Sequence, residues 1–134
     1  MKYIKLIKSI LLVVIAILLL GVLIYPSLIV AVIYSFTNKG TVKNLAEYFR
    51  DVALSIDQTG NTICQHLFNA ILIEQHSIYR FGNMDETISS VLGKNLVNNS
   101  LTKTGRYITY ILDTLDNNHS IKSIDNTVGK EIKQ

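Results

Sequence analysis

Of 134 residues 49% are hydrophobic and 17% charged, but neither class is spread evenly. The formal charge of +3 resides in Lys2, Lys5 and Lys8, because the ten basic residues further along are matched by ten acidic ones. That neutral remainder has no basic stripe and so excludes nucleic-acid binding despite a pI near 9.0, and the single cysteine, Cys64, excludes an internal disulfide.

From Ile10 to Phe36 the chain is apolar, interrupted only by Gly21, Pro26, Ser27 and Ser35. As a helix this run reaches about 40 Å, enough for one tilted crossing of a hydrocarbon core of about 30 Å. The three lysines lie at spacing three and can extend toward headgroups. Tyr3 at one end, with Tyr34 and Phe36 at the other, suits the membrane interfaces. The run is longer than the ~7–15 apolar residues of a signal peptide and lacks a small-x-small cleavage site, so an uncleaved anchor is expected. Pro26 predicts a kink near Val22. Basic residues flank both ends almost equally, and the compact, acid-free first flank favours the N-terminus inside.

Asn38-Lys39-Gly40 reads as a break, with Thr41 capping the next helix. From Val42 to Ile56 the residues Leu45, Phe49, Val52, Ala53 and Ile56 mark an apolar helical face. The pattern weakens at Gly60 and resumes through Ile63, Leu67, Ala70 and Ile71. Either one helix bends near Gly60 or two helices meet there. Asp57, Asn61, Gln65 and Asn69 repeat every four residues, as a solvated face or as groups that line a cleft or bind the following loop.

Phe81-Gly82-Asn83 predicts a turn, after which Asn83 or Asp85 caps a helix from Glu86 to Leu92 that Gly93 stops. Asp85 and Glu86 then sit in its first turn, where acids suit the helix dipole. Lys94 to Leu101 reads as a loop. Thr102 or Thr104 opens a further helix with Tyr107, Ile108, Ile111, Leu112 and Leu115 as its core face, ended by Asp116-Asn117-Asn118-His119. Ile121, Ile124 and Val128 form a weak amphipathic pattern that frays beyond Thr127. The expected architecture is therefore mainly α: a transmembrane helix in 1–37, a small compact helical domain over 38–127 and a flexible tail at 128–134.

No phosphate loop, HExxH, CxxC or Gly-x-Ser-x-Gly motif is present. His66, His76 and His119 are expected to be ordinary histidines, so neither metal nor cofactor is predicted. Cys64 is expected to face the core rather than act as a nucleophile. The two Asn-x-Ser triplets, at Asn98 and Asn118, are expected from chance in an Asn-rich chain. The candidate functional cluster is Asp57, Asn61, Asn69, Asp85, Glu86, Thr87, Ser89 and His119, with Ser90 beside it. These residues either bind a ligand or proton or tie the helices together through buried hydrogen bonds, and the second role is favoured.

Three stretches carry a resemblance: Ile56-Asp57-Gln58-Thr59-Gly60-Asn61, Leu67-Phe68-Asn69, and Phe81 through Asn95 with Asp85-Glu86-Thr87-Ile88-Ser89 at its centre. Together with Leu101 to Gly105, Ile111 to Asp113 and Asn118-His119, they resemble a family of small uncharacterised proteins of tailed bacteriophages and prophages. Relatives often have Asn-His-Cys where this chain has Asn118-His119-Ser120. The resemblance implies a phage context and a bacterial host, without an assigned activity, and the apolar run is then expected to cross the host inner membrane once. The expected partners are the lipid bilayer and a host or phage envelope protein. The expected role is an interaction or accessory module, in lysis or superinfection exclusion. The alternative is a small tethered hydrolase or ligand-binding enzyme using Asp57, Glu86, Ser89 and His119.

Overall fold

The computed structural model describes residues 2–37 and 41–128. Among them are six helices: α1 (Lys2–Thr37), α2 (Thr41–Ile63), α3 (Gln65–Ile71), α4 (Ile88–Val97), α5 (Lys103–Leu115) and α6 (His119–Lys122). The fold is mainly helical, and the described residues form no strand, only an isolated antiparallel bridge between Ile73 and Leu101. Two compact units divide the chain, Met1–Arg50 and Asp51–Gln134. The predicted break at Asn38-Lys39-Gly40 lies outside the described residues.

In the first unit, α1 runs without interruption through Pro26. An 18-residue window within its Tyr3–Thr37 portion reaches a mean hydropathy of 3.0, and the helix is long and apolar enough to cross a membrane. The hydroxyls of Ser9, Ser35 and Thr37 donate to carbonyls four residues back, at 3.0, 2.8 and 3.1 Å. Such back-bonding satisfies the hydroxyls within the helix itself.

The second unit has a small apolar core of Leu72, Ile73, Phe81, Val91, Leu92 and Leu101, edged by Phe68, Ile88, Leu96, Ile108 and Leu112. Phe68 and Phe81 meet edge to face at 5.3 Å. Buried polar residues outnumber the six core residues, so much of the interior is held by hydrogen bonds rather than by apolar contact.

Several local expectations are corrected. The helix passes straight through Gly60, which lies against Ile88 of α4, where an added Cβ would come within 2.9 Å of Ile88 Cδ1. The break falls at Cys64 instead, and it is slight: Cys64 N–H still reaches Gly60 O and Phe68 N–H reaches Cys64 O, both at 2.9 Å. Cys64 is half-buried. Thr87, rather than Asn83 or Asp85, caps α4 by accepting from Ser90 N–H at 3.0 Å.

Gly93 does not stop α4, which continues to Val97. A Cβ there would lie 2.1 Å from Ser120 O, so the bare backbone is where α6 crosses α4. Gly105 serves α5 likewise, next to Leu72 O. Thr102 does open α5, accepting from Gly105 N–H at 3.1 Å while donating to Ile71 O at 2.6 Å, so one hydroxyl finishes α3 and starts α5.

The largest reversal concerns which faces are buried. Of the predicted core face of α5 only Ile108 and Leu112 pack on the core, while Tyr107, Ile111 and Leu115 are exposed. In the second unit, Ile56, Ile63 and Leu67 also face outward, and the polar side of α2 faces in. In the first unit Phe49 is exposed as well.

Candidate functional site

The inward face of α2 and α3 is the four-residue polar repeat, and it holds the loop between α3 and α4. Asp57 Oδ1 accepts from Ile88 N–H at 3.0 Å, and its Oδ2 accepts from Ser89 Oγ at 2.8 Å. A carboxylate on a free amide and a hydroxyl of a helix N-terminus is a charge-assisted cap supplied from another helix. One turn on, Asn61 is fully buried. Its Nδ2 donates to Asn83 O at 3.0 Å and Glu86 O at 2.6 Å, and its Oδ1 accepts from Gly82 N–H at 2.9 Å.

Two turns further, Asn69 Nδ2 donates to Phe81 O and its Oδ1 accepts from Phe81 N–H, both at 2.9 Å. Between them Gln65 packs on Gly82, whose φ of +125° a side chain would rarely adopt. Of the two readings of this repeat, the structure has its side chains binding the following loop. Asp85 contributes only backbone, its carbonyl accepting from Gln58 Nε2 at 3.2 Å and its N–H bonding Asn83 Oδ1 at 3.0 Å.

Glu86 is not a solvated first-turn acid. It is buried, and its Oε1 accepts from Ser90 Oγ at 2.7 Å and from Lys94 Nζ at 2.5 Å. Lys94 is also buried, donates to Val128 O at 2.6 Å and lies 5.8 Å from the Tyr79 ring centroid. Ser90 Oγ accepts in turn from Asp125 N–H at 3.0 Å.

A third set surrounds Asn95, also fully buried. Its Oδ1 accepts from Ser77 Oγ and, at 2.6 Å, from Ser100 Oγ, while Nδ2 donates to Tyr79 O at 2.9 Å and Val91 O at 2.8 Å. Lys94 and Asn95 escape a sequence reading that ends the helix at Gly93. The available signal was spacing, since Ser90 and Lys94 stand four apart behind Glu86.

His119 belongs to none of these sets. Its Nδ1 lies 3.1 Å from Asp116 Oδ2, and Lys122 Nζ lies 3.6 Å from Asp116 Oδ1. The His119 hydrogen bond first, and the Lys122 charge second, hold the Asp116 carboxyl below its ordinary value. Asp113 Oδ1 accepts from Ser120 N–H at 2.8 Å and so anchors α6. Hydrogen bonds thus join Asp57 to Ser89, Glu86 to Ser90 and Lys94, and His119 to Asp116; the hydrolase alternative asks Asp57, Glu86, Ser89 and His119 to share one cleft. Among the described residues no group of three His, Cys, Asp or Glu side chains converges as a metal site.

Fold and site together define a class: a helical protein with one apolar helix fit to span a membrane and a second unit whose inner polar groups bind its own backbone. Compared with known proteins, the chain matches no family model, no curated protein and no solved structure.

Proposed function

We propose that this is a phage- or prophage-encoded single-pass protein of the bacterial inner membrane, whose helical unit is a non-enzymatic interaction module for a host or phage envelope protein. Lysis accessory and superinfection exclusion are its two concrete forms. The observation that carries the reading is the inverted use of polarity in the second unit. Asp57, Asn61, Asn69 and Asn95 are occupied with the chain's own backbone and hydroxyls. Ile63 is 75% exposed, Leu67 57%, Tyr110 69% and Leu115 80%. Exposed apolar side chains that form a contiguous patch mark interaction sites, and these four are the candidates for one here. With the N-terminus inside, the helical unit lies on the outer side of that membrane.

The test is expression in a bacterial host of the full chain and of a chain lacking residues 1–37, scoring lysis timing and resistance to a second phage. The full chain should change one of the two, and the anchorless chain should lose that effect. No phenotype in either assay sinks the proposal. Reporter fusions at the C-terminus decide the orientation: an active periplasmic reporter is expected, and an active cytoplasmic one reverses it.

A further inference from the structure

The buried Glu86–Ser90–Lys94 set has a feature that the interaction reading does not use: it is closed by the C-terminal part of the chain through main-chain contacts. α4 presents three successive features on one side. Ser90 Oγ accepts from Asp125 N–H at 3.0 Å. Gly93 offers bare backbone against which Ile124 lies, its Cγ1 2.8 Å from where a Cβ would stand. Lys94 Nζ donates to Val128 O at 2.6 Å. Behind them Glu86 Oε1 takes a bond from both Ser90 and Lys94 and so orients the two groups.

What is read here is a peptide: an aliphatic side chain, the N–H of the residue after it, and a carbonyl three residues further on. From Ser123 to Val128 the segment has no helix or strand. Its shape comes from Asp125, whose Oδ1 accepts from Thr127 N–H at 2.8 Å and Thr127 Oγ1 at 2.6 Å, an Asx-type turn. A segment without regular structure, fastened by two hydrogen bonds and one aliphatic contact, opens locally far more readily than the helices around it. When it lifts, Ser90 Oγ and Lys94 Nζ each keep a bond to Glu86 Oε1, which limits the cost of opening.

We infer that Ser90, Gly93 and Lys94, backed by Glu86, form a peptide-binding site that residues 124–128 occupy in cis as a displaceable strap. Its ligand class is a peptide with an aliphatic residue followed by an Asp-initiated turn. The inference does not rest on the function proposed above and survives or fails without it.

The experiment uses the full chain in detergent micelles and an amine-acylating reagent, with mass spectrometry reading Lys94 and hydrogen exchange reading the α4 amides. Asp125→Pro removes the N–H that Ser90 accepts together with the carboxylate that shapes the turn. Lys94 acylation should rise at least ~10-fold in this variant while the α4 amides stay protected, as expected for local rather than global opening. A synthetic peptide of residues 121–128 should return Lys94 to its protected rate. Ile124→Ala, which only trims the aliphatic contact, should give a smaller rise in the same direction. Unchanged Lys94 reactivity in both variants overturns the strap. A rise that appears only with loss of α4 protection makes the segment part of the core and also overturns it. Failure of the peptide to protect Lys94 removes the binding site.

Discussion

Asn69 and Phe81 are joined edge to edge, the side-chain amide of one pairing with both the N–H and the C=O of the other at 2.9 Å. The side chain thus acts as a one-residue strand partner for a loop without regular structure of its own. Asn61 repeats the device two turns earlier on three other backbone groups. Buried backbone groups need partners, and here helix side chains provide them.

Replacing these amides should therefore be costly. Asn61→Ala leaves Gly82 N–H and the buried Glu86 carbonyl without this partner, while Asn83 O keeps its bond from Glu86 N–H, and should destabilise the second unit by about 2–4 kcal/mol, at about 1–3 kcal/mol for each unsatisfied group with partial relief from water. Asn69→Ala, less buried, should cost about 1–2 kcal/mol on the same basis. Denaturant unfolding followed by hydrogen exchange of loop amides measures both. An Asn61→Ala loss below that of Asn69→Ala contradicts the assignment.

The Glu86–Lys94 pair makes a different prediction. Lys94→Met alone leaves a buried carboxylate and should cost about 3–5 kcal/mol, whereas Glu86→Leu with Lys94→Met should lie within about 1 kcal/mol of the parent protein. A double-mutant cycle on unfolding free energies reads the coupling directly. Additive losses would mean that the two side chains do not depend on each other.

Glycine substitutions should run against helix propensity. Gly→Ala inside a helix ordinarily gains about 1 kcal/mol. At Gly93 and Gly105 the new Cβ would lie 2.1 Å from the backbone carbonyl of Ser120 or Leu72, and a backbone cannot move aside as a flexible side chain does. Gly93→Ala and Gly105→Ala should each lower stability by about 1–3 kcal/mol, the usual cost of overpacking. A rise in thermal midpoint for either would place these crossings wrongly.

Asp116 sets a pH dependence near the end of α5. Its folded carboxyl titrates below the ordinary value because His119 bonds it and Lys122 lies beside it. A depressed folded value means that its contribution to stability is fully present above the unfolded carboxylate pKa. That contribution is lost as pH falls through the lower folded value. His119→Ala should move the Asp116 titration back up toward the ordinary range, measured by carbon-13 NMR of its carboxyl, and should narrow the acid-side loss. An unmoved titration would assign the shift to Lys122 alone.

The long apolar helix and the helical class were both legible, because each is a local property. A run from Ile10 to Phe36 needs no partner to be apolar, and the helical periodicity of 42–71 and 103–115 follows from residue spacing alone. Thr102 was legible as a cap for the same reason. Which face each helix buries was not. The apolar stripe through Ile56 and Ile63 looked like core, yet the polar stripe through Asp57 and Asn61 is the one turned inward. The loop from Gly82 to Ile88 brings backbone groups that only amide and carboxylate side chains can satisfy.

Gly93 is a helix breaker by propensity, but its lack of a side chain lets Ser120 approach and keeps α4 helical to Val97, which brings Lys94 onto the face with Ser90. Glu86 looked like a dipole-stabilising acid until that helix placed an ammonium 2.5 Å from it. Sequence by itself determined an apolar helix able to span a membrane, a neutral helical remainder and the residue types available for polar contact. Tertiary structure alone decided which of them are buried, because a hydrogen bond or ion pair between residues 8 to 35 apart is fixed by how helices cross and not by their spacing along the chain.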